Sequence, residues 1–257
     1  MSEALVARPA ASVILVREHD GTLEVFLIER GATDQVLANT MVFPGGKLEY
    51  ADNSEQALEL WDAPPASIAA QRMQESNEAM AQGLMVAAVR ETFEEANIRL
   101  RASELHPFSR WITPVVPQMM QRRFDTRFLL AWCPVDQVAR HDPAESASSR
   151  WISPAAALRA YGTGVFRMAP PQIMTLVELD RLGSATAVRA ALVNRRVPVI
   201  QPEPFHVGDR RGVAYPGDAL HPVKERAMPG PTRLVFREGR LEPEQGAEAF
   251  FVRAQDH

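Results

Sequence analysis

Residues 84–98 constrain this chain more than any other stretch, because they combine an apolar stripe with three closely spaced acids. Val86, Val89, Phe93 and Ala96 recur at helical spacing, which predicts a helix lying with one face on a sheet. Glu91, Glu94 and Glu95 stand at i, i+3 and i+4, so their carboxylates share the other face within reach of one ion. Like charges at that spacing cost roughly a few tenths of a kcal/mol per pair on an exposed helix. A divalent cation between them offsets that cost, and an oxygen-only donor set favours Mg²⁺ or Mn²⁺ over zinc. Taken alone, the acids are far better explained by a solvated helix face; the upstream sequence reverses that balance.

Upstream, residues 11–17 and 23–30 are β-rich runs separated by Glu18-His19-Asp20-Gly21, whose Asp-Gly supplies the positive-φ turn of an antiparallel hairpin. Met41-Val42-Phe43 then forms a short apolar strand halted by Pro44-Gly45-Gly46, where the backbone can bend and expose its carbonyls. An arginine, Arg90, directly precedes the first acid. A carbonyl-exposing loop, an acidic helix face and an adjacent guanidinium together meet the separate requirements of a site that binds metal and phosphate.

Between loop and helix, residues 52–82 are rich in Ala, Gln and Glu and broken by Pro64-Pro65, predicting two short helices as an insertion. Downstream, 110–113 and 124–133 read as strands, and 135–150 as a polar loop. Ser153-Pro154 opens a helix by the N-cap and first-turn proline rule, and 171–182 and 184–195 give two more. Beyond Val197 the chain is rich in Pro and Gly, with one hairpin at 234–241 and otherwise extended segments leaning on the main body.

The 46% apolar content of 257 residues suits a globular protein with a substantial core. A net charge of −4 leaves no basic excess, which argues against a nucleic-acid platform and leaves a small anionic substrate open. A single cysteine, Cys133, forbids an intramolecular disulfide and a cysteine-based zinc site, so a reducing, cytoplasmic setting is expected. The apolar run 12–16 is too short for a membrane helix and lacks the leader of a signal peptide, so no membrane association is expected.

Taken together, Gly46, Arg90-Glu91 and Glu94-Glu95 make the chain resemble a Nudix hydrolase. That family's box runs Gly, five residues, Glu, seven residues, Arg-Glu, two residues, Glu-Glu, one residue, Gly. Here Asp52 replaces the first Glu, 37 residues instead of seven separate it from Arg90, and Asn97 replaces the last Gly. About 30 residues are therefore inserted inside the box. Asn tolerates the left-handed conformation that a helix end demands. The insertion is similar to that of a long-insert branch containing a peroxisomal coenzyme A diphosphatase. The stretches 42–48, 51–52, 110–114 and 123–128 echo the same branch.

The resemblance implies an α+β fold, an α/β/α sandwich with a mixed sheet. It implies a core over residues 1–155 with a helical insertion at 53–82, and a C-terminal extension over 156–257 packed on that core. It implies that Glu91, Glu94, Glu95 and the Gly46 carbonyl bind Mg²⁺ or Mn²⁺, that Arg90 holds the acids, and that Asp52 supports Arg90. Glu91 or Glu145 would orient the attacking water, with His141 and Asp142 beside Glu145 in its loop. Arg30, Arg123 and Arg127 are candidate phosphate contacts, although paired surface arginines are the more common explanation for each. The implied substrate is a small-molecule diphosphate such as coenzyme A or acyl-coenzyme A. Another dinucleotide, a nucleotide sugar or a capped nucleotide is the alternative, and a binding module without turnover is the alternative of another class. A homodimer is also open, with residues 53–82 as a flap and 197–257 closing the cleft or meeting a second subunit.

Overall fold

The structure, a computed structural model, describes residues 6–31, 39–115, 123–144 and 146–252. The long β-rich run at the start forms the centre of the molecule. Strand β1 (Arg8–His19) turns at Asp20-Gly21, both at positive φ, into β2 (Thr22–Arg30). β1 also pairs in parallel along its length with β6 (Phe124–Trp132), which pairs antiparallel with β5 (His106–Ile112). The short strands β3 (Met41–Val42) and β4 (Gly45–Lys47) pair with β2 and β1, and β7 (Ser146–Ile152) pairs with β2. From the tail, β8 (Val199–Ile200) joins β5 in parallel, so the mixed sheet runs β3-β2-β1-β6-β5-β8.

Both faces of the central strands are apolar, as a sheet covered on both sides requires. One face, with Val13, Leu15, Phe26 and Leu129, packs on the helical layer of α1 (Glu55–Leu60), α2 (Ala66–Met73) and α3 (Glu78–Ala96). The other, with Ile14, Val16, Leu27 and Leu130, packs on α4 (Pro154–Gly162), α5 (Pro170–Leu182) and α6 (Ala185–Leu192). The same cluster takes in Tyr215, Leu234 and Phe250 from the tail. Tail residues also build a second antiparallel sheet from β9 (Glu203–Val207), β10 (Arg210–Ala214), β11 (Arg233–Arg237) and β12 (Arg240–Glu242). The α+β sandwich with a mixed sheet is therefore the observed fold. Among the described residues, no helix is long and apolar enough to cross a membrane.

Three local expectations are revised. The acidic helix starts six residues earlier than its apolar periodicity suggests, at Glu78, because the Asn77 side chain accepts from the Met80 amide and caps it. Phe93 is 40% exposed rather than part of the buried stripe. Thr92 and Glu95 are buried in its place, and the Phe93 ring tilts onto Trp61 of the insertion with the centroids 5.7 Å apart. Residues 146–150, read as the end of a loop, belong to the strand β7 (Ser146–Ile152), whose Ser-Ala-Ser-Ser start gave no apolar alternation to find.

The insertion packs on the rest of the molecule. Glu75, between α2 and α3, accepts from Arg127 Nε at 2.7 Å and faces Arg110 Nη1 at 3.3 Å. Arg72 donates to the carbonyls of Ser103 and Leu105, and Gln82 to that of Pro64.

Candidate functional site

The site begins where β4 runs beside β1. Gly45 pairs with Ser12 and Gly46 with Ala11, and this proximity leaves no room for side chains. A Cβ on Gly45 would stand 2.4 Å from the Ala11 carbonyl oxygen, and one on Gly46 would stand 2.2 Å from Glu91 Oε1. The Gly46 backbone thus lies against Glu91, which brings the glycine segment and the acidic helix face together.

Asp52 and Arg90 hold this junction across the insertion. Asp52 is 1% exposed, in a short 3₁₀ turn where its Oδ2 accepts from the Glu49 amide at 2.8 Å. The same carboxylate receives Arg90 Nε at 2.8 Å and Nη2 at 3.2 Å, a forked pair of charge-assisted bonds. Arg90 Nη1 then reaches Glu91 Oε1 at 2.9 Å and Glu94 Oε2 at 3.0 Å, and Nη2 reaches the Lys47 carbonyl. One guanidinium therefore ties loop, turn and helix together. Burial pulls the Arg90 pKa down, but the bond to Asp52 and the charges of Glu91 and Asp52 outweigh it, leaving Arg90 more firmly protonated than usual. Burial likewise pushes the Glu91 carboxyl above its ordinary value, with Arg90 opposing the shift and Glu94 adding to it.

Glu95 is the buried acid of the three, at 4% exposure. Its Oε2 accepts from the Gly45 amide at 2.8 Å, and its Oε1 lies 3.4 Å from Arg30 Nη2. Glu94 is half exposed. Among the described residues, no three His, Cys, Asp or Glu side chains converge as a ready metal cluster. Arg90 faces Glu91 and Glu94, and Arg30 faces Glu95. The donors nevertheless fit a hard divalent cation, since three carboxylates and a loop backbone lie along one helix face and offer oxygen alone.

The remaining candidates are placed as follows. Arg30 touches this site, but through Glu95 and the Gly45 carbonyl, at 3.2 Å from the latter. Arg127, expected as a phosphate contact, is 2% exposed and committed to Glu75 and Asp125, so the structure gives it a structural partner instead. Arg123 is 8% exposed and donates to the Thr113 carbonyl at 3.1 Å. Trp111 is buried against Tyr215. His141 Nδ1 lies 2.9 Å from Ser149 Oγ, and Asp142 accepts from the Ala144 amide. Glu145 lies outside the described residues. The Gly45 contacts with Glu95 and Arg30 were not anticipated; the paired glycines were the only signal for them.

Asn97 ends α3 in the left-handed conformation, φ 54° and ψ 34°, its amide bonded to the Phe93 carbonyl. Asn97→Gly is expected to hold or raise the melting temperature, whereas Asn97→Ala should cost about 1–2 kcal/mol. Calorimetry of the pair would check this, and equal stability of both variants would contradict it.

A family model described as the NUDT19 Nudix domain matches residues 100–182, from just before β5 to the end of α5. That span leaves out the acidic helix, so the match and the site geometry are separate observations. The chain is 22% identical to the acyl-coenzyme A diphosphatase NUDT19 of Xenopus laevis, covering 77% of this chain and 71% of that protein. It is 26% identical to the putative nudix hydrolase 7 of Caenorhabditis elegans, covering 89% and 79% respectively. Its fold is similar to the crystal structure of a NUDIX hydrolase from Alicyclobacillus acidocaldarius, with a TM-score of 0.58 and 21% identity, over 75% of this chain and 98% of that one. With the glycine loop seated on the acids of α3 and Arg90 bridging the interrupted box, the chain is similar to Nudix hydrolases in fold, in part of its sequence and in the arrangement of these residues.

Proposed function

We propose that this chain hydrolyses the pyrophosphate bond of a nucleoside-diphosphate-linked small molecule, with coenzyme A or acyl-coenzyme A as the first candidate class. The observation that carries the reading is the contact of Gly46 with Glu91, which makes one polar surface of two segments separated by the insertion. The likeness to the acyl-coenzyme A diphosphatase supports the substrate class.

In this reading Glu91, Glu94, Glu95 and the Gly46 carbonyl would hold Mg²⁺ or Mn²⁺. When bound, the ion neutralises charge on the bridging and terminal oxygens of the diphosphate. Arg90 keeps Glu91 and Glu94 aimed from the helix, and Asp52 keeps Arg90 in place. Glu91, which lies against Gly46, is one candidate for orienting the attacking water. Glu145 is the other candidate for that role. We also read residues 1–155 as the catalytic core and 156–257 as an extension that completes its apolar face.

Incubation with coenzyme A and Mg²⁺ is expected to yield two phosphate-terminated products whose masses sum to the substrate plus one water, with chelation by EDTA stopping release. Mass spectrometry would read the cleaved bond directly. Intact coenzyme A alongside cleavage of a nucleotide sugar or dinucleotide would reassign the substrate, and no cleavage across such a panel would defeat the enzymatic reading.

A further inference from the structure

We propose that Arg30 is a positioning residue, which clamps the Gly45 carbonyl and the Glu95 carboxylate so that the glycine loop and the buried acid keep a fixed relation. The inference rests on the reading of α3 as the metal-binding face. Both backbone groups of Gly45 are engaged by this pair: its N–H donates to Glu95 Oε2 at 2.8 Å, and its carbonyl accepts from Arg30 Nη2 at 3.2 Å. Arg30 Nη2 also lies 3.4 Å from Glu95 Oε1, closing a ring of three residues. Such a ring fixes the peptide plane leading into Gly46, whose carbonyl and whose contact with Glu91 complete the polar surface.

The backbone carrying Arg30 is built for this task. Its N–H donates to the Thr40 carbonyl, and its own carbonyl accepts from the Asn39 amide, both at 3.1 Å. Opposite it the β2–β7 register skips a residue between Glu29 and Arg30, and a bulge of this kind re-aims the side chain at the strand end. Glu95 is so deeply buried that withdrawal of a guanidinium would leave its carboxylate short of charge compensation. Both contacts run through Nη2, so one end of the guanidinium holds loop and acid together.

The test compares Arg30→Gln and Arg30→Lys with the unaltered protein in two measurements. In the metal-free protein, Arg30→Gln should speed hydrogen exchange of the Gly45 amide, read by NMR, by about tenfold, the factor for loss of support to a charge-assisted bond. With coenzyme A and Mg²⁺, kcat should fall about 10–100-fold while KM changes less than about threefold, as misplacement of catalytic groups does. Arg30→Lys should recover part of both. A raised KM with unchanged kcat and unchanged exchange would show a substrate contact and overturn the proposal. If Arg30→Gln does not fold, Arg30→Lys decides: unaltered exchange and kcat in that variant, with KM raised, refutes the clamp. Should the unaltered protein not cleave coenzyme A, the substrate reading fails while the exchange measurement still judges Arg30.

Discussion

Replacing Glu94 with Gln is expected to lower kcat by about 10²–10³-fold with almost no change in stability, the cleanest separation of chemistry from folding that the three acids allow. Glu94 is half exposed and makes one contact, to Arg90 at 3.0 Å. Losing that exposed i,i+4 pair costs about 0.3–0.5 kcal/mol, and relief of repulsion from Glu91 and Glu95 returns a similar amount. Turnover, by contrast, loses one anionic ligand of an ion asked to supply several kcal/mol of charge stabilisation, and each 1.36 kcal/mol is about tenfold in rate. Glu95→Gln could not make the point as well, because Glu95 is buried and its carboxylate meets both Gly45 and Arg30. The measurement is steady-state kinetics beside a thermal melt. Full activity with an unchanged melting temperature would remove Glu94 from the site.

Glu75→Ala is expected to be the most destabilising surface-distant substitution in the insertion, at about 3–5 kcal/mol. Arg127 is 3% exposed at its side chain and Glu75 6%, so the change strands a buried guanidinium; Arg110 loses a neighbour at 3.3 Å as well. Asp125 keeps hold of Arg110 and Arg127, which limits the loss without cancelling it. For a chain of this size the melting temperature should fall by roughly 6–20 °C. A variant that melts with the unaltered protein would mean the cluster contributes no net stability. Its activity, once folded, tests whether the insertion acts on the site or only supports it.

What could be read from the sequence follows the range of each interaction. The first hairpin, the break after Met41-Val42, the helical acids and the Ser153-Pro154 helix start are all local, and each stands where its residues imply, whereas Gly45 and Gly46, read as a loop, enter strand β4. The box arginine was legible despite the insertion because its partner Asp52 keeps its place after the glycine. The partners of Arg30 and Arg127 were not legible. Glu95 and Glu75 lie far from them along the chain, and only the folded sheet and helices bring each pair together. The phase of α3 near Phe93 failed for a related reason: the Trp61 that covers its ring comes from inside the insertion.

Strand β8 has a consequence for how the chain is made. Arg110 and Trp111 of β5 pair with Val199 and Ile200, and the Arg110 amide donates to the Pro198 carbonyl. A ribosome-bound chain completes the β1–β6–β5 ladder well before those residues emerge, so β5 waits as an open border with unsatisfied backbone groups. Termination before Val197 would make that wait permanent. The tail thus acts as the last-arriving seal on the sheet, and shortened products should gather in the insoluble fraction during synthesis.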